Sequence, residues 1–493
     1  MVATLPDLQG YEIEEYGYQL GREWGIGQAE KGSAEKDNGT LLIVAHTLVT
    51  RREGLGRNTL DALVVSTLST CAACIALMTL EGGGLTSLHT YGLAFFFAGF
   101  AFFAGESSLG ASVGWYDTDY GVPARPGAGH HLDEGEGEAE EEEGEEGPVT
   151  IGLRQFRADL RGELALGEGF LDRLITRVGY TDYAHTEFEG EETGTVFDVS
   201  GIEARAEFVQ NQSGPLRGSF GAQYYFRDFQ AIGGEAFVAP NRTDQFGVFA
   251  LQELDIGPVQ LEAAGRYERT SVRSSELGID RDFNGFSGAL GLAYETDGGL
   301  RFGVNGTRVQ RAPSGEELFA DGPHIATQAF EIGDPDLGME KAWGVEAYVR
   351  GRVGPAQVSL AVFQNWFDDY IYLAATGDEE DGLPVFAFLQ DDAKYFGVEG
   401  ELSLPFVRRE GLTLLADLRG EYVRAELDDG RPLPRIPPLS LLGALEAQTD
   451  AFDARVEVEW FAAQDRIAAF ETPTDDFTFV NASLAWKPLR GDG

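Results

Sequence analysis

Positive charge is what this 493-residue chain has least of: 37 Lys and Arg stand against 82 Asp and Glu, for a net charge of −45. That balance excludes nucleic acid as a main partner, disfavours anionic headgroups and favours cations. Cysteine is nearly missing. Cys71 and Cys74 are the only two, which rules out a disulfide framework and a Cys-rich zinc site and leaves either a redox CxxC pair or two small apolar side chains. No export leader is visible, because the opening "MVATLPDLQGYEIEE" is acidic where such a signal is basic and then apolar. There is no Gly-rich phosphate loop with Lys and no HExxH zinc motif, so the expectation is a protein that is not an enzyme and carries no cofactor.

What the chain has in abundance is alternation. In "AFDARVEVEW", Asp453, Arg455, Glu457 and Glu459 fall on one face of a strand, and Phe452, Ala454, Val456, Val458 and Trp460 on the other. The same period of two runs through "FRADLRGEL", "IEARAEFV", "VQLEAAGRYE", "YFGVEGELSL" and "FVNASLAW". About sixteen such segments follow Gly105, typically about ten residues long, the length a tilted strand needs to cross a bilayer. A charged face on every strand is too costly for a dry core. The pattern therefore predicts an all-β fold, an antiparallel transmembrane β-barrel with charges lining a watery lumen and apolar side chains meeting lipid. A soluble β-solenoid or stacked sandwich is the alternative, but no fixed repeat supports it. Strand ends such as "VGWYDTDY", "QYYFRDF" and "NWFDDYIYL" supply interfacial aromatic girdles.

Two other pieces precede the barrel. Residues 1–45 read as a short α/β fragment, too small to bury a core alone. Residues 46–104 are apolar: "ALVVSTLSTCAACIALMTL" and "LTSLHTYGLAFFFAGFAFFAG" carry no charge and are each long enough to cross a bilayer as a helix. Buried helices or foreign sequence joined to the barrel are the other readings. Within the barrel, short links at 255–258, 296–299 and 351–355 alternate with long ones at 123–150, 312–341 and 377–392. Since outer-membrane barrels keep their short turns periplasmic, the long side is extracellular and is where a ligand is met.

At this point a resemblance emerges. "RVQRAPSGEELFADGPHIATQAFEIGDPDLGMEKAWGVEAYVRG", "FQNWFDDYIYL" and "YFGVEGEL" resemble the barrel signature of TonB-dependent outer-membrane receptors. "GWYDTDYGVP", "LRQFRADLRGEL" and "RVGYTDYAHTEFEGEETGTVFDVSGIEARAEFVQ" are similar to the branch that includes zinc-uptake receptors. "GREWGIGQ", "KDNG" and "LLIVA", within residues 4–45, resemble the start of a TPM domain. The barrel resemblance assigns 105–493 to the receptor barrel, in the outer membrane and in contact with its lipid. It implies uptake of a metal ion, zinc favoured, or of a metal chelate such as a siderophore, driven through a TonB-type energy-coupling protein. Three departures qualify this: no plug domain or coupling motif is found in residues 1–104, fewer strands are visible than the family has, and the chain ends on "KPLRGDG" rather than on a terminal aromatic. The expectation is an incomplete barrel, with a plugless porin-like pore or a truncated, chimeric and non-functional receptor as alternatives.

The resemblance also singles out His324, at a Gly-x-His-x-Ala-Thr position where the metal-transporting branch places a ligand. Imidazole suits zinc, copper or nickel, and Asp321 or Glu331 adds oxygen donors if the loop folds back. The competing reading is structural: Ser314 and Glu317 form a capping box on a short helix, and His324 only hydrogen-bonds within the loop. His130 and His131 lead the acidic run "GAGHHLDEGEGEAEEEEGEEG", which either collects divalent cations or is simply a solvated loop. His185 can join the site or sit as a surface residue near a strand end.

Overall fold

The computed structural model describes residues 63–69, 93–122, 149–190, 192–324 and 327–487. The TPM-like stretch, both cysteines and the acidic run with His130 and His131 lie outside the described residues. Among those described, the strands are β1 (Leu63–Ser69), β2 (Leu93–Ala104), β3 (Ser107–Gly121), β4 (Val149–Ala165), β5 (Leu171–Glu189), β6 (Glu192–Gln210) and β7 (Leu216–Gly233). Next come β8 (Asn241–Ile256), β9 (Val259–Ser274), β10 (Ile279–Glu295) and β11 (Leu300–Arg311), then one short helix, α1 (Gly315–Phe319). The rest are β12 (Asp321–His324), β13 (Ala329–Ile332), β14 (Glu340–Val353), β15 (Ala356–Glu380), β16 (Leu383–Arg409), β17 (Leu412–Leu427), β18 (Ser440–Thr449), β19 (Phe452–Phe461) and β20 (Phe477–Trp486).

The strands form one meander. Each pairs antiparallel with its chain neighbour from β1 to β11; β11 then pairs with β14, and the ladder continues to β20. The exception is β13, which lies parallel to β16 beyond the wall. No pairing between β20 and β1 occurs among the described residues. Leaving out β1 and β2, which precede Gly105, and the short loop strands β12 and β13, sixteen strands remain among the described residues, the number counted by alternation.

The apolar stretch expected to be helical is strand where it is described. The run "LAFFFAGFAFFA" is β2, paired along its length with β3, and Gly105, at φ 61, is a residue of the turn between them. The physical reason is pairing: β3 offers a ladder partner along the whole run, from Leu93 opposite Thr118 to Ala104 opposite Ser107, so the backbone of the uncharged run is satisfied within the sheet. No helix among the described residues is long and apolar enough to cross a membrane, which says nothing against crossing by strands.

Burial is inverted relative to a water-soluble sheet. On β19, Val456 and Val458 are 53% and 45% exposed, while Arg455 is surrounded by Asp417, Glu446 and Glu457 at 2.5, 3.1 and 3.1 Å. Charge is sheltered and apolar surface is not, as a lipid-facing wall around a polar lumen requires. Along the outer face toward the long-loop side, aliphatic residues give way to exposed rings, Tyr224, Phe246, Phe286, Trp343 and Trp366, and then to charges such as Arg242 and Asp282. That order marks the membrane boundary. Strands β15 and β16, at 25 and 27 residues, run far past it, since about ten residues suffice to cross. The stretch 377–392, read from sequence as a loop, is the end of this hairpin, turning at Asp381 and Gly382.

The described residues of the stretch 312–339 are also not a loose loop. They fold back between the strand ends and bury Leu318, Phe319, Ala320 and Leu337 against Phe197, Phe229, Val272, Phe283 and Ile371 of the wall. This is the larger apolar core among the described residues, and it sits at the end where a ligand arrives.

Candidate metal site at the loop end of the barrel

The site begins with a helix cap. Ser314 Oγ accepts from Glu317 N (3.2 Å) and Glu317 Oε2 accepts from Ser314 N (2.7 Å), the reciprocal box that the spacing predicted. Ionic tethers fix the short helix: Arg227 meets Glu316 at 2.6 Å, and Arg311 meets Glu317 at 2.9 Å and Glu340 at 3.1 Å. Burial alone pushes the Glu316 carboxyl up, but its hydrogen bond and charge pairing with Arg227 outweigh this and hold it below the usual range. Farther along, Arg281 donates to Leu337 O (2.9 Å), and Gln390 both accepts from Gly338 N (2.7 Å) and donates to Gly338 O (3.0 Å).

The β12–β13 hairpin then places its side chains by register. Gly322 pairs with Glu331 and His324 with Ala329, so His324 and Glu331 share one face. Nδ1 of His324 lies 2.9 Å from Oε1 of Glu331, which also accepts from Thr327 Oγ1 at 3.2 Å. A carboxylate only accepts, so Nδ1 carries the proton and Nε2 is the nitrogen left for a metal. Phe237 stacks on the imidazole, centroids 4.1 Å apart and planes within 13°. Asp321 is three residues from His324 along the strand, hence on the opposite face, and is exposed. It does not join the pair.

A second pair faces the lumen from the wall. Tyr183, His185 and Glu187 alternate along β5; Nε2 of His185 is 3.8 Å from Oε1 of Glu187, whose side chain is buried. Phe197 of β6 stacks on His185 at 4.3 Å, and Tyr183 meets its edge at 5.4 Å. Nδ1 of His185 is buried and has no hydrogen-bond partner among the described residues. Phe197 in turn packs edge-on to Phe237 at 6.1 Å, so one row of rings runs from the wall histidine to the loop histidine.

The structure therefore unites His324 with Glu331, leaves Asp321 aside, and brings His185 into the same aromatic row. Glu187, Phe197 and Phe237 were not singled out from sequence; the alternation of Tyr183, His185 and Glu187 on one strand face was the available signal. Among the described residues no three His, Cys, Asp or Glu side chains surround one position. The arrangement is two separate imidazole–carboxylate pairs, His324 with Glu331 and His185 with Glu187.

Comparison with known proteins agrees with this architecture. Residues 87–491 match the family described as TonB dependent receptor-like, beta-barrel, and residues 1–55 match the TPM domain. Among solved structures, the fold is similar to the copper transporter OprC (TM-score 0.67, 14% identity, covering 81% of this chain and 64% of that one). It is also similar to the FrpB iron transporter from Neisseria meningitidis (0.62, 13%, 83% and 67%). A third is a double mutant of the Serratia marcescens hemophore receptor HasR in complex with its hemophore HasA and heme (0.61, 15%, 81% and 67%). The chain thus spans about two thirds of each of these proteins. With a family match over most of its length, a lipid-facing apolar wall and a charged lumen, the chain belongs to the TonB-dependent receptor-like β-barrels, an outer-membrane family of transport receptors rather than enzymes.

Proposed function

We propose that this barrel takes up a metal ion, zinc favoured, or a compact metal chelate, meeting it at the loop end between β5 and the folded stretch 312–339. The observation that supports the reading is the pair of histidines, His185 and His324, each backed by a carboxylate and oriented by a stacked phenyl ring. In this reading His324 binds through Nε2 and Glu331 sets its tautomer, an outer partner rather than a ligand. His185 and Glu187 offer the donors on the wall side. The strongly acidic chain raises the local concentration of cations at the mouth. The acidic run with His130 and His131 contributes in the same way, and energy for inward passage comes from a TonB-type coupling protein. The receptor chemistry of binding, not catalysis, is what these residues supply.

Zinc titration calorimetry on the detergent-solubilised protein tests this. His324→Ala should weaken binding by about tenfold or more, and Glu331→Gln by about 10- to 100-fold through loss of ligand orientation. Unchanged zinc binding in both variants would discard the site. A liposome-swelling assay separates the receptor from an open pore, because only the pore passes small sugars.

A further inference from the structure

The lumenal wall carries a row of positive charge that the two imidazole–carboxylate pairs do not use. Arg161 of β4 lies directly opposite Arg177 of β5, and Arg177 lies directly opposite Arg205 of β6, so arginines stand side by side across three strands. Arg177 is eight residues from His185 along β5, an even number, which puts the row on the same lumenal face. That offset is roughly 26 Å along the strand and about 19 Å along the membrane normal at a 45° tilt, well below the loop end. Like charges directly opposite each other destabilise a sheet. In a chain with 37 Lys and Arg against 82 Asp and Glu, a row of arginines calls for a compensating interaction.

The nearby carboxylates are engaged elsewhere. Glu163 and Asp159, on either side of Arg161 along β4, pair with Arg173 at 2.6 Å and with Arg157 at 2.9 Å. Glu203 accepts from Gln223 Nε2 at 2.7 Å. Glu207 pairs with Arg205 at 2.8 Å and also feels the charge of Arg177. Among the described residues, the Arg161 and Arg177 side chains donate no hydrogen bond and join no ion pair, and both are exposed to the lumen.

Two glycines shape the surroundings of the row. Gly179, next above Arg177 on the same face, leaves room over the guanidinium, since a Cβ built there meets only Asp159 Oδ1, at 3.6 Å. Gly247 of β8 is opposite Gln223, which is opposite Arg205, and its missing side chain is replaced by the guanidinium of Arg266: a Cβ on Gly247 would lie 2.6 Å from Nη2. Nη1 of Arg266 donates to Gln223 Oε1 at 3.3 Å, which brings a further cation to the end of the row. Adjacent strands are roughly 5 Å apart, so the row presents planar donor forks at that spacing to a ligand with two or more oxyanion groups. The net charge of −45 repels anions in general, so retention depends on matching the row in valence and spacing.

We infer that Arg161, Arg177 and Arg205 form a lumenal binding site for a small multivalent oxyanion, one that carries two or more carboxylate or phosphate groups. The site is separate from the histidines and does not rest on the metal reading. Titration calorimetry of the full chain in detergent and metal-free buffer, with citrate and with pyrophosphate as probes, tests the assignment. The wild type should bind at least one of them, and its preference tells carboxylate from phosphate chemistry. R161Q/R177Q should bind that probe at least about tenfold more weakly, because two charge-assisted contacts are lost. The double variant removes a like-charge pair and breaks no side-chain hydrogen bond or ion pair among the described residues, so it should unfold no earlier than the wild type and bind zinc equally well. Arg419→Gln on β17, whose guanidinium already meets Glu401 at 3.3 Å, should leave the affinity for the probe unchanged. Binding of neither probe by the wild type overturns the proposal, and so does equal affinity in R161Q/R177Q. Earlier unfolding of the double variant overturns it as well, since the arginines would then be structural. So does an equal loss in R419Q, which would mean a diffuse lumenal field, or displacement of the probe by an equal concentration of acetate, which would mean a site for any single anion.

Discussion

Leu318→Ala tests whether the small core at the loop end holds His324 and Glu331, the proposed metal-binding pair, in place. Leu318 is completely buried in α1, packed among side chains of the wall strands, and no polar atom is involved. Truncating a buried leucine to alanine costs about 3 kcal/mol, the removed methyl groups plus the cavity they leave. Because α1 docks onto strands that stay paired by their own backbone ladders, this cost falls on local opening of the stretch 312–339 rather than on the barrel. About 3 kcal/mol corresponds to a roughly 100-fold rise in the open population. Amide hydrogen exchange read over residues 315–332 should therefore accelerate by about two orders of magnitude, while β8 and β9 amides keep their protection. Zinc affinity should fall to the extent that the open form becomes populated. Exchange within a factor of about two of wild type would refute the reasoning, since the apolar core would then not be what seats the loop.

Other perturbations probe separate parts of the structure. At Gly315 an added Cβ lies 2.3 Å from Oδ1 of the buried Asn241, so Gly315→Ala should loosen the same stretch, read as faster protease cleavage near α1. Glu316 has its carboxyl held below its ordinary value of 4.5 when folded, so its contribution to docking is present above that value and is lost as pH falls through the lowered one. Loop protection should be flat from neutral pH down to about 4.5 and decline below it, and Arg227→Gln should remove that dependence. On the lipid face, Val456→Arg should destabilise the refolded barrel by about 2–4 kcal/mol if the residue lies near the midplane, whereas Glu457→Gln, on the lumenal face, should cost much less in the same denaturant titration.

Much of the architecture was already determined by the amino-acid order. A strand's side-chain period is two, so the run from Phe452 to Trp460 separates charge from apolar surface whatever its neighbours are, and only a lumen and a lipid face satisfy both sides. The Ser314–Glu317 spacing likewise determined a helix start, because the capping box is made within four residues. Where alternation was weaker, local reading failed: the Phe- and Ala-rich run of β2 is uncharged enough for a membrane helix, and the ladder supplied by β3 decides for strand. The candidate site depended on tertiary structure most of all. His185 and His324 are far apart in sequence, and nothing local says that Phe197 and Phe237 stack on them or that the β12–β13 register turns Glu331 toward one and Asp321 away. The first of these stacks follows from the β5–β6 register, which sets Phe197 opposite His185; the relations of His324 arise only when the stretch after β11 folds back to bury Leu318 and Phe319, a long-range burial that sequence pattern along one strand cannot encode.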